Sequence, residues 1–378
     1  MTFANKPTST LVIFFLLFLN SCIEPFSPPP IDGEKVIVIE GSLDISEQSA
    51  SVLLSYSRDL TSIDNQEFIT GADLSIEGED GISIPLADID SGKYYAENLE
   101  VNFNNNYRLV INIKGETYIS DFAKAKPTPE IDSVFWRKEN NGIGIYVNTH
   151  DPSNQSIFYK WNYEETWHYR ASFYSQFDFD YDTKEVLFRF EDIYNCWKYT
   201  YPKNILVAST ESFSEDRINE QPIIFIPYLS QKLKVKYSVL VKQQTIDKQA
   251  YEYWNNVRGN TESLGTLFDP IPFDFKGNIR SETSPQETVL GYFTVGATKS
   301  QRIFIDYYDV RDDIIFSYGN CRYDTLLLAD LSSLYQTENL ISEIPSEFGP
   351  GIIGYTKTSN SCSDCTLTGT NIKPIFWE

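Results

Sequence analysis

The chain has 378 residues, 53 acidic against 31 basic, for a net charge of −22. A surface this acidic is repelled by nucleic-acid phosphates and by anionic lipid headgroups, which argues against polyanion-binding classes. Hydrophobic residues at 41 % exclude a disordered chain, and aromatic residues at 15 %, with 25 Tyr and 25 Phe, favour strands over helices.

Residues 11–19 form an uncharged apolar run of nine, with Lys6 before it and Asn20, Ser21, Glu24 and Pro28–Pro30 after it. A membrane-spanning helix needs roughly 20 apolar residues, so the run reads as the core of a cleaved signal peptide over residues 1–21. Leu19-Asn20-Ser21-Cys22 resembles the lipobox of bacterial lipoproteins. That resemblance implies a thioether-linked diacylglyceryl group on Cys22 and cleavage just before it. Each buried methylene contributes about 0.8 kcal/mol, so two or more chains anchor stably. The alternative is a secreted chain whose Cys22 joins a disulfide. Residues 22–35 carry three consecutive prolines and read as a semi-stiff tether.

From Val36 the pattern is one of strands and turns. Ala72, Leu74 and Ile76 alternate with Asp73, Ser75 and Glu77, the period of a half-buried strand, and Asp80-Gly81 marks a turn. About seven short strands fit into residues 36–126, which predicts a small β-sandwich. Residues 71–113 resemble Ig-like or carboxypeptidase-regulatory-type modules. Pro127 and Pro129 break the pattern, and a domain boundary is placed there. Residues 130–378 read as a larger β-rich domain. Its one clear helix covers residues 247–258, where Ala250, Tyr251, Trp254 and Val257 share a face, Thr245 or Asp247 can cap the start and Gly259 suits the end. A second helix is possible over residues 324–334, followed by an irregular cysteine-bearing tail. The fold class is therefore mostly β, a sandwich followed by a larger β domain with one or two short helices.

Candidate chemistry is sparse. With Cys22 lipidated, Cys196, Cys321, Cys362 and Cys365 remain, and an even count in an exported chain predicts two disulfides with three possible pairings. Cys362-Ser-Asp-Cys365 also has the spacing of a redox pair or half a zinc site, but no second such motif exists. The two histidines, His150 and His168, lie in no nucleophile or zinc motif and read as surface or packing residues. Asp178, Asp180 and Asp182 alternate with Phe177, Phe179 and Tyr181. On a strand the three carboxylates would share a face and could hold Ca²⁺, although Thr183 and Arg189 stand where an EF-hand has Gly and Glu. No other cofactor is expected. Tyr159, Trp161, Tyr163 and Trp167 would line one side of a strand, as core or as a stacking platform. Residues 210–217 read as a polar loop able to meet a partner.

Four landmarks occur in order: LNSCIEPF at residues 19–26, ILVASTESFSEDRINEQPIIFIP at 205–227, the long stretch from YEYWNNVRGN to ETVLGYF at 251–293, and CSDCTLTGTNIKPIFW at 362–377. With them the chain resembles the DUF4249 family of Bacteroidota lipoproteins. The resemblance implies Cys22 as the lipid site and an outer-membrane location on either face. Members are often encoded beside TonB-dependent transporters, which implies a β-barrel or other envelope partner. It carries no catalytic residues. The expectation is a non-enzymatic, lipid-anchored accessory protein of ligand capture. A structural or assembly factor without a small ligand is the alternative, and a hydrolase using paired carboxylates a third.

Overall fold

The computed structural model describes residues 35–57, 67–201, 204–262, 277–312 and 320–377. The signal peptide, Cys22 and the tether up to residue 34 lie outside the described residues. From Val36 onward the chain forms one compact unit. No helix among the described residues is long and apolar enough to cross a membrane.

Seven strands open the fold: β1 (Ile37–Asp44), β2 (Ser49–Tyr56), β3 (Asp73–Gly78), β4 (Ser83–Asp90), β5 (Lys93–Glu97), β6 (Tyr107–Ile113) and β7 (Glu116–Ser120). β4 pairs first with β3, through residues 83–86, and then with β5, through residues 87–90. One strand thus passes between the layers, and the sheet folds over on itself. The period-two pattern decides what faces inward: Ile39, Leu54, Ile76, Leu109 and Ile111 are fully buried in a common core.

The second region does not keep to itself. Two of its strands complete the first sandwich, so residues 36–126 supply seven of nine strands. After β8 (Ile131–Glu139), β9 (Gly142–His150), β10 (Phe158–Arg170), β11 (Phe177–Phe179), β12 (Val186–Phe188), β13 (Asn195–Thr200), β14 (Leu206–Ser209), β15 (Arg217–Pro227) and β16 (Lys236–Thr245), the chain returns. There β17 (Ile279–Ser281) pairs with β7, and β18 (Val289–Gly296) runs parallel to β1. The Asn278 carboxamide donates to the Phe293 carbonyl and accepts from the Phe293 N–H, both at 2.8 Å, which ties the two ends of the sheet together. Gly291 sits at φ +139°, and a Cβ there would lie 1.9 Å from the Ile39 carbonyl oxygen.

The second sandwich packs the sheet β15-β9-β8 against a sheet of β13, β10, β16 and β19 (Thr298–Asp306), with β14 also on β10. Ile143, Ile145 and Val147 from one sheet meet Tyr159, Trp161, Val239 and Val241 from the other. The predicted helix is α1 (Lys248–Glu262). Asp247 caps it by accepting from the Ala250 N–H at 2.7 Å. It runs on past Gly259, where the sequence suggested a stop. Ala250 and Trp254 pack with Phe158, Val207 and Tyr292, so the helix joins both sandwiches.

The third layer is a small sheet, β12-β11-β21-β22-β20, made with β20 (Asp324–Leu327), β21 (Glu338–Pro345) and β22 (Ile352–Ser359). The possible helix over residues 324–334 is thereby corrected. Its first turn is β20, paired with β22, and a 3-10 turn follows at Leu328–Ser333. Burial of Leu326 in the sheet's core outweighs local helical preference. Two very short helices complete the fold, α2 (Tyr307–Val310) and α3 (Asn360–Ser363).

Candidate functional site

Because Tyr159, Trp161 and Tyr163 of β10 turn into the second core, Lys160 and Asn162 emerge on the opposite face of the strand. That face looks across at β1, β2 and β5 of the first sandwich. Between them lies a cleft of about 460 Å³ continuous with a second recess of about 300 Å³. Ser42, Ser51, Tyr95, Lys160, Asn162 and Gln244 line both parts.

Trp254 of α1 lines the cleft on one side, with the Lys160 ammonium 3.7 Å from its ring centroid. On the other side Asp44 is the hub of a polar network. It accepts from the Ser46 N–H at 2.9 Å, the Ser46 hydroxyl at 2.7 Å, the Glu47 N–H at 3.0 Å and the Thr298 hydroxyl. Burial pushes the Asp44 carboxyl up, but these bonds outweigh it and its pKa falls. Lys242 is paired with Glu164 at 3.0 Å and Glu47 at 3.7 Å. Lys160 differs. Burial brings its ammonium down to about 8, and the field of exposed Glu40 opposes this only in part. Among the described residues it has no oxygen partner.

The residues singled out in the sequence are dispersed. Asp178 is exposed on β11 and meets Arg189 at 3.2 Å. Asp180 accepts from the main-chain N–H groups of Asp182 and Thr183, closing a turn. β11 ends at Phe179, so the three carboxylates never share a strand face. No three His, Cys, Asp or Glu side chains among the described residues are grouped to hold a metal ion. The Ca²⁺ expectation thus finds no site at Asp178, Asp180 and Asp182.

The cysteines form two disulfides, Cys196–Cys365 and Cys321–Cys362. Cys362 and Cys365 take different partners, so their spacing marks neither a redox pair nor a zinc site. His150 meets Asp132 at 2.7 Å, and His168 stacks on Trp197 with its pKa lowered by burial. The rings of Tyr159, Trp161, Tyr163 and Trp167 are core, not platform. The polar loop is tied down from within: Thr210 donates to Asp216 at 2.8 Å, as does Tyr159 at 3.0 Å. Burial pushes Asp151 and Asp192 upward, but the bonds they accept outweigh it, to about 2 for Asp151. A carboxyl general acid needs the opposite shift.

Lys160 and Trp254 were not read as site residues. The available signal was the alternation itself: if the rings of residues 159–163 are core, Lys160 must face away from it.

Sheet order and packing define a mostly β protein of two sandwiches and a third small sheet, with a polar cleft between the sandwiches. It belongs to the DUF4249 family, described as a domain of unknown function, whose match covers residues 23–302. No curated protein matches the chain. Among solved structures, a two-fibronectin-type-III-domain segment from chicken tenascin is similar at 14 % identity, covering 56 % of this chain and 91 % of that one, with a TM-score of 0.17.

Proposed function

We propose that this is a lipid-anchored envelope protein that captures a ligand as the accessory partner of an outer-membrane β-barrel, a TonB-dependent transporter. It acts by binding and not by catalysis. The observation that carries the reading is the cleft between the sandwiches, which holds a lysine ammonium with no oxygen partner among the described residues. Clefts of this size at a junction of packed layers are the usual form of small-ligand sites. The lipobox-like Leu19–Cys22 supports the anchor.

The test has two arms. Cys22→Ser should move the protein from the membrane to the soluble fraction. Tagged wild-type lipoprotein, solubilised from native membranes, should bring a β-barrel with it, as read by mass spectrometry. A barrel-free preparation, or a Cys22→Ser protein still in the membrane, would count against the reading.

One observation favours the assembly reading. The third sheet and its adjoining segments expose Leu187, Phe188, Tyr323 and Leu327, and Phe190 and Phe348 are each 97 % exposed. Apolar side chains gathered on a small sheet suit protein docking. A barrel that co-purifies equally well with the cleft blocked and no ligand present would favour that role.

A further inference from the structure

We propose that the cleft between the sandwiches is a binding site for a small acidic saccharide, its carboxylate held by Lys160 beside the Trp254 ring and its hydroxyls read by Asn162, Gln244, Ser42 and Ser51. The inference rests on the ligand-capture reading and names the chemistry of the ligand.

An ammonium without an oxygen acceptor points to the carboxylate. The Lys160 ammonium lies over the Trp254 ring, among the described residues it has no hydrogen-bonded or ion-paired oxygen, and Glu40 of the same cleft acts on it only at a distance; an ammonium withdrawn from water without a close partner is costly. Lys242, the other cation lining the smaller recess, has Glu164 and Glu47 beside it. A carboxylate has the lone pairs to accept from the ammonium, and charge-assisted bonds of this kind are the strong ones. Burial, opposed only in part by Glu40, lowers the Lys160 pKa in the same place.

The rest of the lining points to hydroxyls. Asn162 stands two residues from Lys160 on the same strand face, and its carboxamide makes no bond to another described residue. Gln244 spends its N–H groups on Thr298 at 2.9 Å and Asp44 at 3.3 Å, which leaves its carbonyl oxygen to accept. Ser42 and Ser51 share one bond at 3.1 Å and keep capacity for another. The wall carries both donors and acceptors, which suits a ligand bearing groups that both donate and accept. An apolar anion would leave these groups unpaired. A cleft of about 460 Å³ accommodates one or two sugar rings.

The test is isothermal titration of the purified mature lipoprotein in detergent with digalacturonate, its methyl ester and the neutral disaccharide cellobiose. Saturable binding of digalacturonate is expected, weaker by about tenfold or more for the ester and for cellobiose. Lys160→Met should lose digalacturonate binding to the same degree. Thermal melts by circular dichroism establish that the variant is folded. Equal affinity for ester and acid, unchanged binding by Lys160→Met, or no binding of the acid at about 10 mM would each overturn the proposal. If the acid fails to bind while a barrel still co-purifies, only the ligand class falls. If the acid binds and no barrel follows, only the transporter partnership falls.

Discussion

The two sandwiches share an architecture but not a kind of core. In the first, fully buried Ile39, Leu43, Leu54, Ile76, Leu109 and Ile111 pack as aliphatic surface with few polar ends to satisfy. In the second, the rings of β10 bring polar atoms inside, and Tyr159, Trp161 and Tyr169 each hydrogen-bond to a partner. The Trp161 indole donates to Gln243 at 2.9 Å, and Gln243 donates onward to Thr149 at 2.9 Å. Lys232 and Tyr237 both donate to buried Glu165 at 2.7 Å. An aliphatic core responds to lost area and volume, whereas a hydrogen-bonded core responds to any member that leaves another unpaired. The second core also carries a disulfide, Cys196–Cys365, which the first lacks.

The largest test of that contrast is removal of this disulfide. It closes a separation of 169 residues, and chain-entropy reasoning assigns such a loop about 5 kcal/mol. In Cys196→Ser/Cys365→Ser, hydrogen exchange should quicken in β10, β13 and the tail while β1, β2 and β6 stay protected. Equal loss in both sandwiches would erase the distinction. Next, Lys232→Met leaves Glu165 buried with Tyr237 as its remaining partner, and should cost about 4 kcal/mol in urea unfolding. A cost below about 1 kcal/mol would make this an ordinary surface pair.

Leu109→Ala in the first core should cost about 3 kcal/mol, by lost burial and the cavity left behind. That cost should be the same at pH 5 and pH 8, since no titrating group is involved. The smallest effect concerns acid. Asp151 is buried and accepts from Ser153, Gln155 and Ser156, which holds its pKa to about 2. Its folded pKa is depressed, so its stabilisation is complete above the unfolded value near 4 and is lost as pH falls toward 2. The shift amounts to about 2 kcal/mol. Asp151→Asn should flatten the second sandwich's stability between pH 4 and pH 2 and leave exchange in the first sandwich unchanged.

Much of the fold was legible because the signals are local. Period-two alternation marked β3 and β6, and the face of Ala250, Tyr251 and Trp254 marked α1. The cysteine count foretold two disulfides but not that Cys196 reaches Cys365. Two readings failed for one reason. Residues 324–327 became a strand, and the aspartates of residues 178–182 divided between an ion pair and a turn, because partners elsewhere in the chain decided both outcomes.

The sequence by itself determined which side chains turn inward along each strand, since Cβ direction follows the backbone period and needs no distant partner. It also determined that β10 would present Lys160 and Asn162 opposite its rings. Only the tertiary structure decided what those residues face. The parallel pairing of β1 with β18, some 250 positions further along, depends on contacts that no local window contains. The cleft exists because two separately patterned sandwiches come together with α1 packed against both.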